Sequence, residues 1–186
     1  MVSATEQRRF AGVVLVVLVL DLATKLAAEV WLRRFVGVSV IGDFFQLRLV
    51  YNPGAAFGIN VGDYSRWVFM TLSVAALFVL GGMLRTTRAG DGVRLYALAL
   101  ICAGAAGNLV DRVRSPRGVV DFLDFTFGHF HFPTFNVADS AVTCGAVLLA
   151  FALWNDGRHD VAHGMSARPP AGAASPAAQP APPAGS

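Results

Sequence analysis

Charged side chains are scarce in this chain. Asp, Glu, Lys and Arg together make up 15% of its 186 residues, whereas an ordinary soluble domain carries about 25%. Hydrophobic residues reach 55%, and many of them lie in long uncharged runs. The shortage of charge excludes a separate soluble domain and indicates an integral membrane protein with short loops.

Cysteine and lysine are almost absent as well. The two cysteines, Cys102 and Cys144, lie within apolar runs, so we interpret each as a small packing residue rather than as half of a disulfide. Lys25 is the only lysine, and arginines gather at the ends of the apolar runs, where they would contact lipid headgroups. Nucleic acid is therefore not an expected partner.

Familiar catalytic and nucleotide-binding motifs are missing too. The sequence has no HExxH pair, no GxSxG elbow and no Walker-type glycine loop. These absences disfavour a zinc protease of that type, a serine hydrolase and a nucleotide-binding enzyme. His129 and His131 flank Phe130, but a single H-x-H is weak support for a metal site.

Four apolar runs predict membrane-spanning helices, at about 10–31, 67–84, 95–110 and 137–154. The first follows Arg8 and Arg9 as in a signal peptide, but no small-x-small site closes it, so we interpret it as a retained span. The third is rich in alanine and glycine, which lets helices approach closely inside a bundle. The expected fold is an all-α membrane protein, a four-transmembrane-helix bundle.

The segments outside the spans have other compositions. Residues 36–60 mix β-branched and aromatic residues with turn formers. We predict a small β-rich segment there, at the membrane surface, because unpaired backbone is not tolerated in lipid. We assign residues 1–9 to a polar N-terminus, 10–157 to the four-span domain and 158–186 to a disordered Ala/Pro-rich tail.

Charge alone does not orient the spans. With four spans, both termini lie on the same side of the membrane. That side and the opposite side carry equal numbers of arginines, so the positive-inside rule gives a tie. Only the density of arginine in the short loop at 85–94 favours cytoplasmic termini.

The stretch at 107–139 carries the candidate chemistry. It holds Asp111, Asp121, Asp124 and Asp139 between two predicted spans, where charged groups are costly and need a reason. Asp121 lies in an apolar run, a setting that raises the pKa of a carboxyl. If it meets Asp139 at the membrane surface, one carboxyl can activate water while the other protonates the leaving amine.

Each acid also has a simpler interpretation. Asp139 follows Asn136 by three residues, the spacing of a helix cap. Asp111 is next to Arg112 and can form a structural salt bridge with it. Asp124 can be simply solvated. These alternatives stay open at the level of the sequence.

Asp21 and Lys25 pose a further choice. They lie four residues apart on one helix face. They can form a neutral ion pair, or they can belong to a functional site. A chain of such groups would make the protein an ion transporter, with polar residues toward both membrane faces. The second span is uncharged and the polar groups gather at one side, which favours a surface site over an ion path.

Five blocks of the sequence belong together. They are DLATK at 21–25, YNPGAAFG at 51–58, GNLVDR at 107–112, VVDFLDF at 119–125 and FNVADSAV at 135–142. In this order they closely resemble lipoprotein signal peptidase (signal peptidase II), a family of bacterial membrane aspartic peptidases. Leu22 stands where the family often has a polar residue, and the Ala/Pro tail has no counterpart in the family pattern.

The resemblance implies Asp121 and Asp139 as the catalytic pair and Asp111 as a structural residue. It also implies a set of residues that line or brace the site: Asp21, Lys25, Asn52, Gly104, Asn108, Arg112, Asn136 and Ala138. The implied substrate is a diacylglyceryl-modified prolipoprotein, cleaved just before the lipidated cysteine, with no metal and no organic cofactor.

The resemblance also implies where the protein works. We expect a monomer in the bacterial inner or cytoplasmic membrane, in contact with membrane lipids. Its termini, including the N-terminus at 1–9, would be cytoplasmic, and its active site and the small β-rich segment would be extracytoplasmic. Orientation is thus expected by analogy, since the arginine count leaves it open.

Overall fold

The computed structural model describes residues 2–54 and 62–166, with side chains described as far as residue 156. It contains four long helices, α1 (Ala4–Trp31), α2 (Ser65–Thr86), α3 (Gly92–Arg114) and α4 (Val137–Ser166), and a short 3-10 turn (Gly62–Tyr64) before α2. All four are long and apolar enough to cross a membrane. The prediction of four spans is confirmed, and the chain is a multi-pass membrane protein.

All four helices extend beyond their predicted spans, α1 and α4 by the most. α1 begins at Ala4 because Ser3 and Glu6 form a capping box, in which the Ser3 side chain accepts from the Glu6 amide and the Glu6 side chain accepts from the Ser3 amide. α4 continues to Ser166, so the first part of the predicted disordered tail is helical. The rest of that tail, 167–186, lies outside the described residues.

Contacts divide the chain after Ala152. The unit Met1–Ala152 contains α1 to α3, the sheet and most of the apolar part of α4, and every feature discussed below belongs to it. The unit from Leu153 contains the end of α4.

α3 is the central helix of the bundle. It packs against α1 and α2, and its small residues face α4: a methyl group added to Gly104 would collide with the carbonyl of Ala138 and the side chain of Val142. Gly145 of α4 is likewise close to Ile101. The Ala/Gly run therefore has the role expected of it, close approach of helices.

The sheet has four antiparallel strands in the order β1-β2-β3-β4: β1 (Val38–Ile41), β2 (Phe45–Asn52), β3 (Val119–Phe127) and β4 (Phe130–His131). The β-rich segment predicted after the first helix supplies β1 and β2. The prediction did not include β3 and β4, which come from the stretch after α3. Pairing with β2, a contact between distant parts of the chain, makes this stretch a strand.

The turn from α3 into β3 depends on a glycine. Gly118 has a φ of 101°, in the left-handed region that favours glycine. Its missing side chain also lets the turn lie against the carbonyl of Asn52. Val120 and Phe122 of β3 then pack with Leu49 of β2 and Ala28 of α1 in one apolar cluster. β3 is thereby fixed over the ends of α1 and α3.

Candidate active site

A cavity of about 400 Å³ lies where β3 meets the end of α3 and the start of α4. Asp121 and Asp139, the predicted catalytic pair, both line it. The other lining residues are Asn52, Asn108, Arg112, Val119, Phe132, Pro133, Thr134, Phe135, Ser140, Thr143 and Cys144. The fold thus brings together residues that lie far apart along the chain.

Asp121 is almost completely buried, with 2% of its surface exposed. Its Oδ1 accepts a hydrogen bond from Asn136 Nδ2 at 2.7 Å, and its Oδ2 accepts one from Asn52 Nδ2 at 3.2 Å. Burial raises the pKa of Asp121 to about 7, the charge of Asp139 adds to the rise, and the two amide bonds oppose it. Near neutral pH this carboxyl therefore holds its proton about half of the time.

Asp139 is half-buried in the first turn of α4. Its Oδ1 accepts from Asn108 Nδ2 at 2.8 Å. Its Oδ2 accepts from the amide of Asn136 at 3.3 Å, while Asn136 Oδ1 accepts from the amide of Asp139 at 2.9 Å. This reciprocal pair is the helix cap considered above, and it coexists with a place in the cavity.

Asn136 joins the two carboxyls. It is fully buried, and because its Oδ1 accepts from the Asp139 amide, its Nδ2 must be the group that faces Asp121. The cap that begins α4 therefore also fixes a donor on Asp121. Local helix chemistry and the arrangement of the cavity depend on the same side chain.

Lys25 lies at the centre of a separate buried network. Its Nζ is 2.8 Å from Asp21 Oδ2, 2.8 Å from Asp111 Oδ2 and 3.0 Å from Asn108 Oδ1. These contacts match the three donors of an ammonium group, and neither Lys25 nor the two carboxylates are exposed. Since Asn108 accepts from Lys25 through its oxygen, its Nδ2 faces Asp139. The network thus orients an amide of the cavity.

Asp21 links α1 to α4. Its Oδ1 accepts from the backbone amide of Ala138 at 2.9 Å, one of the amides that a helix start leaves free. Gly107 of α3 lies against the same carboxyl, and a methyl group added there would collide with it. Lys25, Asp21, Gly104 and Ala138, all implied by the resemblance, brace the site from beneath and do not line the cavity.

Asp111 does not have the expected partner. Besides Lys25, it contacts Arg114 Nε at 2.8 Å and accepts from the amide of Val120 at 3.1 Å. The proposed salt bridge with Arg112 is therefore wrong. Arg112 Nη2 donates to the carbonyl of Gly54 at 2.8 Å instead. Its helical neighbour failed as a partner because residues i and i+1 project from different sides of a helix.

Asp124 is not solvated, contrary to the simpler interpretation. It is 2% exposed, with Arg48 Nε at 3.0 Å and His131 Nε2 at 2.7 Å from its carboxylate oxygens. Both partners come from neighbouring strands, so strand pairing creates this cluster. Within the described part of the chain, no group of three or more His, Cys, Asp or Glu side chains is arranged to hold a metal ion.

Comparison with known proteins shows the family of this chain. The family model "Signal peptidase (SPase) II" matches residues 13–155. The chain belongs to the signal peptidase II family. A lipoprotein signal peptidase of Burkholderia mallei (strain SAVP1) is 43% identical over 146 residues, covering 75% of this chain and 84% of the relative. One of Francisella tularensis subsp. novicida (strain U112) is 40% identical over 141 residues, covering 74% and 86%.

Comparison with solved structures shows a similar fold. Two structures described as a bacterial membrane enzyme are similar to the chain at 30% identity, with TM-scores of 0.74 and 0.70. They cover 80% and 78% of this chain, and 89% and 92% of their own chains. As a member of the signal peptidase II family, the chain is a membrane peptidase that cleaves the signal peptides of lipoproteins.

Part of this signal peptidase II cavity was missed by sequence reasoning. Ser140, Thr143 and Cys144 line it along α4. Thr143 follows Asp139 by four residues and Cys144 follows Ser140 by four, so the members of each pair are neighbours on the helix surface. The spacing of Thr143 from Asp139 was available as a signal. Phe132, Pro133, Thr134 and Phe135 also line the cavity.

Proposed function

We propose that this signal peptidase is an aspartic endopeptidase with Asp121 and Asp139 as its catalytic pair. The observation that carries the proposal is that one buried residue, Asn136, contacts both carboxyls where they line one cavity. Its side-chain Nδ2 donates to Asp121, and its backbone amide donates to Asp139. Buried carboxyls are normally paired with cations. Both of these accept only from amide groups among the contacts described, whereas Asp21, Asp111 and Asp124 each contact a basic side chain.

The unequal surroundings of the two carboxyls support unequal roles. We assign the role of proton donor to Asp121, whose pKa is raised to about 7, and the role of base to half-buried Asp139. Asp139 takes a proton from water as the water oxygen attacks the scissile carbonyl carbon. Asp121 gives its proton to the leaving amine nitrogen as the carbon–nitrogen bond breaks. The proton gained by Asp139 then passes to Asp121, which restores the starting state of the pair.

The surrounding residues hold this pair in place. Asn52 and Asn136 orient the Asp121 carboxyl, and Asn108 orients Asp139. Arg112 ties the cavity to the carbonyl of Gly54. Asp21, Lys25 and Asp111 act through Asn108 and through the backbone amides of Ala138 and Val120. Positioning of this kind accounts for large rate effects from residues that never touch the substrate.

The substrate we propose is a diacylglyceryl-modified prolipoprotein, cut just before its lipidated cysteine. The cavity extends from Asp139 along α4 past Thr143 and Cys144, toward the middle of the span. A peptide lying across the aspartates would leave its lipid along that face of α4, within the bilayer. The enzyme would work as a monomer without metal or organic cofactor, in the inner or cytoplasmic membrane, with cytoplasmic termini and an extracytoplasmic site.

The ion-path alternative has less support. Asp21 and Lys25 neutralise one another together with Asp111. A conducting path needs groups that exchange ions with water at both faces, and these three side chains have no exposed surface. Ion flux through liposomes that contain the purified protein, lost in an Asp21→Asn variant, would favour the alternative.

The proposal is tested on purified protein in detergent with a diacylglyceryl-modified precursor peptide, followed by gel shift. Asp121→Asn and Asp139→Asn should each lower kcat by at least about a thousandfold, since each removes a proton-transfer group. Asp43→Asn is the matched control, because Asp43 is an exposed carboxyl in the turn between β1 and β2. Thermal unfolding should show that all three variants are folded. Cleavage at the wild-type rate by either dyad variant would refute the assignment.

A further inference from the structure

Four consecutive residues, Phe132, Pro133, Thr134 and Phe135, form one wall of the cavity, and we name this segment the arch. Backbone bonds hold its two ends on β3. The amide of Phe132 donates to the carbonyl of Phe125 at 2.9 Å, and the amide of Phe135 donates to that of Leu123 at 3.0 Å. Among the residues described, Pro133 and Thr134 have no such bond to the sheet. The middle of the arch is therefore held through its ends.

The end of the arch at Phe132 is the weaker one. It continues β4, which is only two residues long and pairs with Thr126 and Phe127 at the edge of the sheet. The other end has three backbone bonds between Phe135 and β3, and it leads directly into the capped start of α4. A short edge strand gives few ladder bonds, so a side-chain contact there has more influence on position.

Such a contact comes from the Asp124 cluster, which the proposed mechanism does not use. His131, the residue just before the arch, has its Nε2 at 2.7 Å from Asp124 Oδ1. Arg48 on β2 has its Nε at 3.0 Å from Asp124 Oδ2. One buried carboxylate thus ties together β2, β3 and β4. None of the three residues lines the cavity. His131 directly precedes Phe132 in the chain and so connects the cluster to the arch.

The arch also packs through its rings onto the same strands. Phe135 stacks on Phe125 at 5.8 Å between centroids, and Phe125 stacks on Phe45 of β2 at 4.5 Å. Phe132 meets Phe135 edge-to-face at 5.6 Å. Movement of β4 away from β3 would therefore displace the aromatic surface that the cavity presents to a peptide.

We propose that Asp124, His131 and Arg48 are positioning residues that hold the arch against the cavity and so set the affinity for the peptide part of the substrate. The inference rests on the proposed function, because it takes this cavity as the place where the peptide binds. Since the three side chains contact neither Asp121 nor Asp139 in the structure, loosening them should raise KM and leave kcat nearly unchanged. A loss of binding that is equal in the ground state and the transition state has that kinetic signature.

The test compares two variants of His131 in the full chain. His131→Ala should raise KM for the diacylglyceryl-modified precursor peptide by about fivefold, with kcat within about twofold of wild type, as for loss of a partly exposed polar contact. His131→Gln, whose amide can place a donor near Asp124, should recover part of the lost affinity. His129→Ala is the matched control, since His129 is an exposed histidine in the same hairpin, and its KM should equal that of wild type.

Two results would overturn the inference. One is a KM for His131→Ala equal to that of His129→Ala, and the other is a fall in kcat with unchanged KM. A double-mutant cycle of His131→Ala with Asp124→Asn adds a second measurement, because the two changes should raise KM by less than the product of their separate effects. Failure here is distinct from failure of the proposed function, which would appear as activity in Asp121→Asn or Asp139→Asn.

Discussion

Two groups of carboxylates in the described part of the chain differ in what surrounds them. In the first, Lys25 lies between Asp21 and Asp111, and all three are fully buried. In the second, Asp121 and Asp139 line a cavity and accept hydrogen bonds from amide groups. The first group is a closed ion network within the helices, and the second is open to a substrate.

In the proposed mechanism, this difference separates charge that stabilises the fold from charge that takes part in the reaction. A buried ammonium whose three donors are all used has no capacity left for chemistry. A carboxyl buried without a direct salt bridge to a cation keeps its proton to a higher pH, at a cost in stability, and is then able to donate it. The two groups meet at Asn108, which accepts from Lys25 and donates to Asp139. The stable network thereby orients the reactive one.

The largest effect is expected when the closed network is broken. Lys25→Met would leave Asp21 buried without its cation and Asp111 with Arg114 alone, a loss of about 3–5 kcal/mol in the free energy of unfolding. We expect a large drop in melting temperature in detergent, measured by tryptophan fluorescence. Adding Asp21→Asn to Lys25→Met removes one of the stranded charges and should restore part of the stability. If Lys25→Met alone melts within about 2 °C of wild type, the closed network does not stabilise the fold as described.

The open group should instead make stability depend on pH. The pKa of Asp121 is raised from an ordinary value of 3.8 to about 7, so between these values the unfolded chain loses this proton while the folded chain keeps it. The free energy of unfolding should therefore fall as pH rises from 4 to 7, by up to about 1.4 kcal/mol per pH unit, and level off above 7.

Melting curves at several pH values check this prediction. The variant Asp121→Asn cannot lose a proton at this position, so its melting temperature should depend less on pH and exceed that of wild type near neutral pH. Equal pH dependence in the two proteins would place the titrating group elsewhere. In activity assays, wild-type kcat should fall as pH rises above about 7, since Asp121 then loses the proton that the leaving amine needs.

A smaller effect is expected at Gly107, where α3 lies against the Asp21 carboxyl of α1. Gly107→Ala would push a methyl group against the Asp21 carboxyl, and overpacking of this kind costs about 1–3 kcal/mol. Gly81→Ala is the control, because a methyl group at that position of α2 meets no other atom within 4 Å. Denaturant unfolding should show a lower free energy of unfolding in Gly107→Ala and no loss in Gly81→Ala. Equal stability would mean that the contact between α1 and α3 is looser than the structure describes.

The smallest effect is expected at Asn52, which contacts the carboxyl of Asp121. Asn52 donates to Asp121 Oδ2 and lowers the pKa of Asp121 by stabilising its charged form. Asn52→Ala should move the alkaline limb of the kcat profile upward by less than about one pH unit. Ser39→Ala, on the neighbouring strand β1, should leave the profile unchanged. A downward movement in the Asn52 variant would show that its amide does not stabilise the carboxylate.

Some of these features follow from local sequence and some do not. The four spans were predictable because uncharged runs of that length have no other stable environment, and the cap of α4 was predictable from the spacing of Asn136 and Asp139. The strand β3 was not predicted, since its pairing partner lies in β2, far away along the chain. The partners of Asp111 and Asp124 were misjudged for the same reason, because each is a contact between separate elements.

The sequence by itself determined the spans, the family and the acids that are candidates for chemistry, because length, hydropathy and short motifs are local properties. Only the tertiary structure decided which acids are neutralised and which remain open. Asp111 and Asp121 both follow apolar residues in the sequence, but one meets Lys25 and the other meets amide groups in a cavity. The state of a buried carboxyl depends on the distance to its nearest cation, and that distance is fixed by packing.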